Sequence, residues 1–200
     1  MPIKDGREYR SIEITNFNAL DEGYVVEGYA TTFDDPYEMH GGYKEQILRS
    51  ALDGADMSDV IFQFDHQGMV MARQRNNTLA VSCDDHGLFV HADLSGSQQG
   101  RDLHEAIKSG LVDRMSWAFM VAEDGWDYDA ETRTATVTKV DKVYDVSAVS
   151  IPANEGTEIK ARSYFDGVIE AEAQELCKRN RDAEELQRLA LRMNFVKIGE

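Results

Sequence analysis

The chain has 200 residues, 42% of them hydrophobic and 29% charged, with 21 Lys plus Arg against 37 Asp plus Glu for a formal net charge of −16. That length suits one ordinary domain with an appended helix and a real hydrophobic core, and the composition suits a soluble globular protein. The charge argues against a nucleic-acid partner, because no Lys/Arg cluster is large enough to reverse it locally. No apolar run approaches the roughly 20 residues of a membrane span, and the polar start MPIKDGREYR does not read as a signal peptide.

Residues 9–33 alternate as half-buried strands do: Ile12 and Ile14, then Tyr24, Val26, Tyr29 and Phe33, with DEG at 21–23 as the turn between them. A short helix is predicted near 43–53, where Ile47, Leu48, Ala51 and Leu52 fall on one stripe and Gly54 can close it. VIFQFDH (60–66) reads as a strand with Val60, Phe62, Phe64 and His66 on one face. LAVSCDDHGLFVHADL (79–94) reads as a hairpin turning at DDHG, and SQQGRDLHEAIKSG (97–110) as a helix with Leu103, Ala106 and Ile107 inward. DRMSWAFMV (113–121) is a strand, DYDAET (127–132) a polar turn, and RTATVTKVDKVYDVSAVSIPA (133–153) a β-rich return.

Many short strands broken by two short helices favour a mostly β fold, a small closed or partly closed barrel with helical decoration, over residues 1–160. Residues 161–200 form a separate extension. There Ile169, Leu176, Ala183 and Ala190 recur every seven residues, as in an amphipathic helix.

Ser116 stands among large apolar side chains. Met115, Trp117 and Phe119 project to one side of the strand and leave Ser116 and Ala118 on the other. A serine becomes a nucleophile only when a base takes its proton, usually a histidine oriented by a carboxylate. Of the five histidines, His40 and His86 lie in an apparent loop and a turn, His91 on a hairpin strand, and His104 beside the apolar stripe of a helix. His66 ends an apolar strand face at a mouth where a cleft can form. Asp145 shares a strand face with Val143, Ser147 and Val149, where a carboxylate must find a hydrogen-bond donor, and an imidazole N–H is such a donor. The alternatives are a satisfied core histidine, a serine filling a tight spot and a solvent-facing aspartate.

Cys83, His86 and His91 have a spacing compatible with zinc, but the first two straddle a tight turn and no fourth ligand is near. No metal or other cofactor is therefore expected. The aspartates at 84 and 85 would raise the Cys83 pKa and make it a poor nucleophile. With only one further cysteine, Cys177, a disulfide framework is not expected, and free thiols in a reducing cytosol are.

Five stretches together resemble the prohead maturation proteases of tailed bacteriophages, relatives of the herpesvirus assemblins, over about residues 10–160. They are VVEGYATTFDDPYEMHGGYKEQIL, FDHQGMVMAR, HGLFVHADL, GRDLHEAIKSGLVDRMSWAF and VYDVSAVSIPANEGT. The chain departs from that pattern at Ser50-Ala51-Leu52, at Gln67, at Ala72, and at Asp145 where many relatives have glutamate.

The resemblance implies an assemblin-like β-barrel and a serine endopeptidase with Ser116 as nucleophile, His66 as base and Asp145 as third member. His91 or His104 are alternative third members, because assemblins use a second histidine. Backbone N–H groups near Ala153 and Asn154 are the candidate oxyanion donors. The implied partners are the major capsid protein precursor or its scaffold domain, with self-association possible, and the implied location is the assembling prohead in the host cytoplasm. Relatives often cut themselves as well. The alternative function is a catalytically silent capsid-assembly scaffold or chaperone on the same fold. A zinc-dependent hydrolase built on Cys83, His86 and His91 is the third reading.

Overall fold

The computed structural model describes residues 7–12, 17–21, 23–39 and 42–150, together with Gln174 and Lys178. The chain divides into two compact units, Met1–Glu158 and Ile159–Glu200, and every described strand belongs to the first. The predicted amphipathic helix of the extension lies outside the described residues.

In chain order the strands are β1 (Glu8–Ile12), β2 (Asn18–Ala19), β3 (Val25–Thr32), β4 (Tyr37–Glu38), β5 (Lys44–Ile47), β6 (Ile61–Phe64), β7 (Gln67–Arg73), β8 (Leu79–Cys83) and β9 (Gly87–Asp93). Helix α1 (Gln98–Lys108) follows, then β10 (Arg114–Val121), β11 (Trp126–Asp129), β12 (Thr134–Val137) and β13 (Val140–Val149). Helix α1 starts where Ser97 caps it, the hydroxyl accepting from the Gly100 N–H at 3.0 Å, and buries Leu103, His104 and Ile107. Its exit passes through Gly110, whose φ of 73° is left-handed.

The helix predicted at 43–53 is instead strand β5 followed by a 3-10 turn at Arg49–Leu52. Tyr43, Glu45 and Ile47 are buried while Lys44 is exposed, which is a period of two. β5 finds a parallel partner in β12, Lys44 opposite Thr134 and Ile47 opposite Val137, and that distant pairing overrides the local stripe.

Three sheets form, ordered β1-β10-β13-β6-β7, β11-β12-β5-β4 and β2-β3-β9-β8. They are open sheets and do not close into the expected barrel, because each keeps its own two edge strands and no strand is shared between them. A common apolar core unites them. Val26 and Val90 come from the third sheet, Ile47 and Val137 from the second, and Phe62, Trp117 and Val146 from the first. Trp117 and Phe119, two apart on β10, stack with centroids 3.9 Å apart and are wholly buried. Each such side chain contributes about 1.5–3 kcal/mol.

A buried ionic cluster fixes the first edge strand. The Arg10 guanidinium donates to Glu8 at 2.5 Å and to both oxygens of Glu45, which also accepts from the Tyr37 hydroxyl. Burial works against the Arg10 charge, but Glu45 and then Glu8 outweigh it and hold the guanidinium well above its ordinary pKa. The backbone of β1 is thereby held against β10, Arg10 opposite Trp117 and Tyr9 opposite Ala118.

Candidate active site

The five-stranded sheet brings three distant stretches together. β10 lies between β1 and β13, with Ser116 opposite Ser147 and Ala118 opposite Asp145. Directly opposed residues share a face, so Ser116, Ala118, Asp145 and Ser147 line one side of the sheet. β6 runs parallel to β13, Ala148 opposite Phe64, which delivers the β6–β7 connection to that same region.

That connection holds His66, and its geometry differs from the expected strand face ending on the imidazole. The strand stops at Phe64, which pairs with Gln67, leaving Asp65 and His66 as a two-residue turn. Their φ angles are 50° and 55°, both left-handed, as a type I′ hairpin turn requires. Outside glycine each such residue costs about 1–2 kcal/mol, and compensating bonds are present. The Asp65 N–H donates to the Ala148 carbonyl at 2.9 Å, and the Asp65 carboxylate accepts the Ser150 N–H at 2.8 Å and the Ser150 hydroxyl at 2.9 Å. Turn and closing strand are thus clasped together.

The three predicted side chains meet. His66 Nδ1 is 2.5 Å from Asp145 Oδ1, and His66 Nε2 is 2.7 Å from Ser116 Oγ. A neutral ring that donates its Nδ1–H to the carboxylate presents Nε2 as an acceptor to the hydroxyl. This order of hydroxyl, imidazole and acid can pass a proton from oxygen to ring while the acid steadies the cation formed.

Further residues, to which the sequence reading gave no role, complete the surroundings. The Ser147 hydroxyl donates to Asp145 Oδ1 at 2.8 Å, so one carboxylate oxygen serves two donors. The Tyr9 ring meets the imidazole edge-on, centroids 4.7 Å apart. The carbonyl of Arg10 lies 2.8 Å from Ser116 Oγ. The single hydroxyl hydrogen therefore has two acceptors within reach, Nε2 and that carbonyl. Ser116 is fully buried, Asp145 is buried, and the His66 side chain is 15% exposed. A signal for Ser147 lay in the alternation of β13, which puts it two residues from Asp145 on the same face.

The other candidates lie elsewhere. His91 bonds Glu27 at 2.7 Å across the β3–β9 pair. His104 is buried in α1, with Nε2 3.2 Å from the Leu20 carbonyl and its ring edge-on to Tyr24. The hydrogen bonds of neither histidine lead to His66 or Ser116. His86 packs edge-on against Tyr29. Cys83 is exposed, and its thiol is pushed up by desolvation and then by Asp53 and Asp84. Among the described residues no three His, Cys, Asp or Glu side chains are grouped to hold a metal ion, and no helix is long and apolar enough to cross a membrane. Ala153 and Asn154, the candidate oxyanion donors, lie outside the described residues, as do His40 and Cys177.

No curated protein and no solved structure matches the chain. The model of one family does, that of the caudovirus prohead serine proteases, over residues 10–168. The match is to the phage proteins, and no relationship to the herpesvirus assemblins is shown. It identifies a serine peptidase of the class that matures capsids inside the assembling prohead in the host cell, and so one that meets capsid or scaffold proteins. This chain belongs to the caudovirus prohead serine protease family.

Proposed function

We propose that the protein is a serine endopeptidase that cuts the major capsid protein precursor or its scaffold portion, and also itself, with Ser116 as nucleophile. The observation that carries this reading is the hydrogen-bonded run from Ser116 through His66 to Asp145. Ser116 Oγ attacks the scissile carbonyl carbon as His66 Nε2 takes its proton. The tetrahedral intermediate expels the amine, which receives that proton from His66, and an acyl-enzyme ester remains. Water attacks the ester with His66 again as base, and the acid product leaves with Ser116 restored. Asp145 stabilises the imidazolium in both halves of the reaction. Confinement in a prohead keeps the local substrate concentration high, so tight binding is unnecessary.

One observation favours a second reading, a silent assembly factor on the same fold: Ser116 is fully buried, and its hydroxyl also bonds to the Arg10 carbonyl. A fluorophosphonate probe separates the two. Covalent labelling of Ser116, together with precursor processing that Ser116→Ala abolishes on co-expression, supports the peptidase. An unlabelled protein, or undiminished processing by Ser116→Ala, would refute it.

A further inference from the structure

Arg7 stands one residue ahead of β1 and is half-buried. Its Nε is buried without a hydrogen-bond partner, and among the described residues no carboxylate pairs with it. The guanidinium lies instead over the Tyr144 ring, Cζ 4.1 Å from the centroid. Buried donors are nearly always paired, so each exception calls for a partner. This chain holds 37 Asp plus Glu against 21 Lys plus Arg. A cation without an anion in so acidic a chain is open to one from outside.

Strand geometry puts that cation on the face of the sheet that carries Ser116. The register shifts between β10 and β13 add residues to β13 only, so Ser116, Ala118 and Met120 alternate regularly onto one side. Tyr9, opposite Ala118, joins them and meets the His66 ring. Arg7, two residues before Tyr9, projects the same way. On β13 the pairing skips from Val143 opposite Phe119 to Asp145 opposite Ala118, which leaves Tyr144 as a bulged residue. The bulge turns Tyr144 onto the face of Asp145, where its hydroxyl lies 3.9 Å from Met120 Sδ. Lys142, opposite Met120 on this face, is already paired with Asp56 at 2.5 Å. Arg7, Tyr9 and Tyr144 thus form a half-buried strip that begins at the His66 ring. At about 3.4 Å per residue, Met120 lies about 13 Å along β10 from Ser116. Glu8 is opposite Phe119, and extending that register brings Arg7 level with Met120.

We propose that Arg7 and Tyr144 form a substrate subsite for an acidic side chain, aspartate or glutamate, roughly two to four residues from the bond cut. The proposal rests on the peptidase reading. The carboxylate takes the fork of the guanidinium in two parallel N–H···O bonds, and the Tyr144 ring backs the cation. Tyr9 joins this subsite to the His66 ring.

A library of unstructured synthetic peptides, randomised at ten positions, cut by the full chain and read by mass spectrometry, tests this. Glu or Asp is expected at one position on the stated side of that spacing. Replacing that Glu by Gln in a single preferred peptide should lower kcat/KM about tenfold, chiefly through KM. The difference should shrink as salt rises from about 50 mM to about 500 mM. Arg7→Gln should erase the preference, Arg7→Lys should keep part of it, and Arg7→Glu should turn it toward Lys and Arg. Thermal melts report the fold of each variant. Fluorophosphonate labelling of Ser116 reports the relay and should stay within about twofold, because that probe carries no acidic side chain. A labelled enzyme that cuts no peptide, cuts without an acidic preference, or shows one that ignores salt would overturn the subsite alone. A preference that survives Arg7→Gln while the melt falls would make Arg7 a clamp of β1 onto β13, and the proposal falls. Failure to label Ser116 in the unsubstituted protein would remove the peptidase reading, and the subsite with it.

Discussion

Asp145→Asn keeps the side-chain volume and an oxygen able to accept from Ser147 and His66, while removing one negative charge. The carboxylate oxygen sits 2.5 Å from Nδ1, and its side chain is 5% exposed, so water and salt screen the pair weakly. Taking the charge centres of carboxylate and developing imidazolium as about 4 Å apart, an effective dielectric of about 20 gives an attraction of about 4 kcal/mol. That attraction is absent before His66 is protonated and present in the transition state, so its loss appears in the rate. At 1.36 kcal/mol per decade, acylation should slow by about 10³-fold. The assay is the second-order rate of Ser116 labelling by a fluorophosphonate, followed by intact mass, with a thermal melt of each variant to show that the fold is kept. A folded Asp145→Asn protein labelled within about tenfold of the unsubstituted rate would refute the assignment of Asp145 as the group that stabilises the ring.

Ser147→Ala removes a buried charge-assisted bond to the same oxygen, 2.8 Å long, and should cost about 1.5–3 kcal/mol in a urea titration; a loss below about 0.5 kcal/mol would count against that bond. Glu45→Ala strips the buried Arg10 guanidinium of its bidentate partner and should cost about 3–5 kcal/mol, seen as a fall in urea midpoint, with labelling slowed as β1 loosens. Acid should also destabilise the fold. Asp84, Asp93 and Asp129 are held below the usual carboxylate range chiefly by the side-chain hydroxyls of Tyr29, Ser95 and Thr132, and Asp59 by Arg73. Groups with depressed folded pKa values stabilise the fold above the unfolded pKa, near 4, and lose that contribution as pH falls through their folded values. The urea midpoint should therefore decline below about pH 4, and a flat profile down to pH 2 would contradict these bonds.

The β8–β9 hairpin, helix α1 and strands β10 and β13 were legible because their signals are local: a DDHG turn, a serine cap, strict alternation. The stripe at Ile47, Leu48, Ala51 and Leu52 misled because short apolar spacings fit helix and strand alike, and the deciding fact is a parallel partner some ninety residues away. Strand closure was equally invisible, since whether a sheet bends into a barrel depends on pairing between distant edges. At the candidate site, the residue types and their order in the chain could be read, but not the contacts. An aspartate ahead of His66 and a glycine at 68 were the clue to a left-handed turn, outweighed by the apolar run before them. Ser147, Tyr9 and the Arg10 carbonyl carry no compositional mark. They matter through sheet register, which places a residue from the start of the chain beside one at 116.

The imidazole stands on the tip of a hairpin whose connection is two residues long, both forced into a rare backbone basin. Such a mount tolerates no change in length. One residue added or removed would swing the ring to the opposite surface of the sheet, away from both oxygen partners. Drift among descendants of this chain should therefore collect in the polar loop between β11 and β12, where spacing is free, while the span from Phe64 to Gln67 keeps its count even where its letters change.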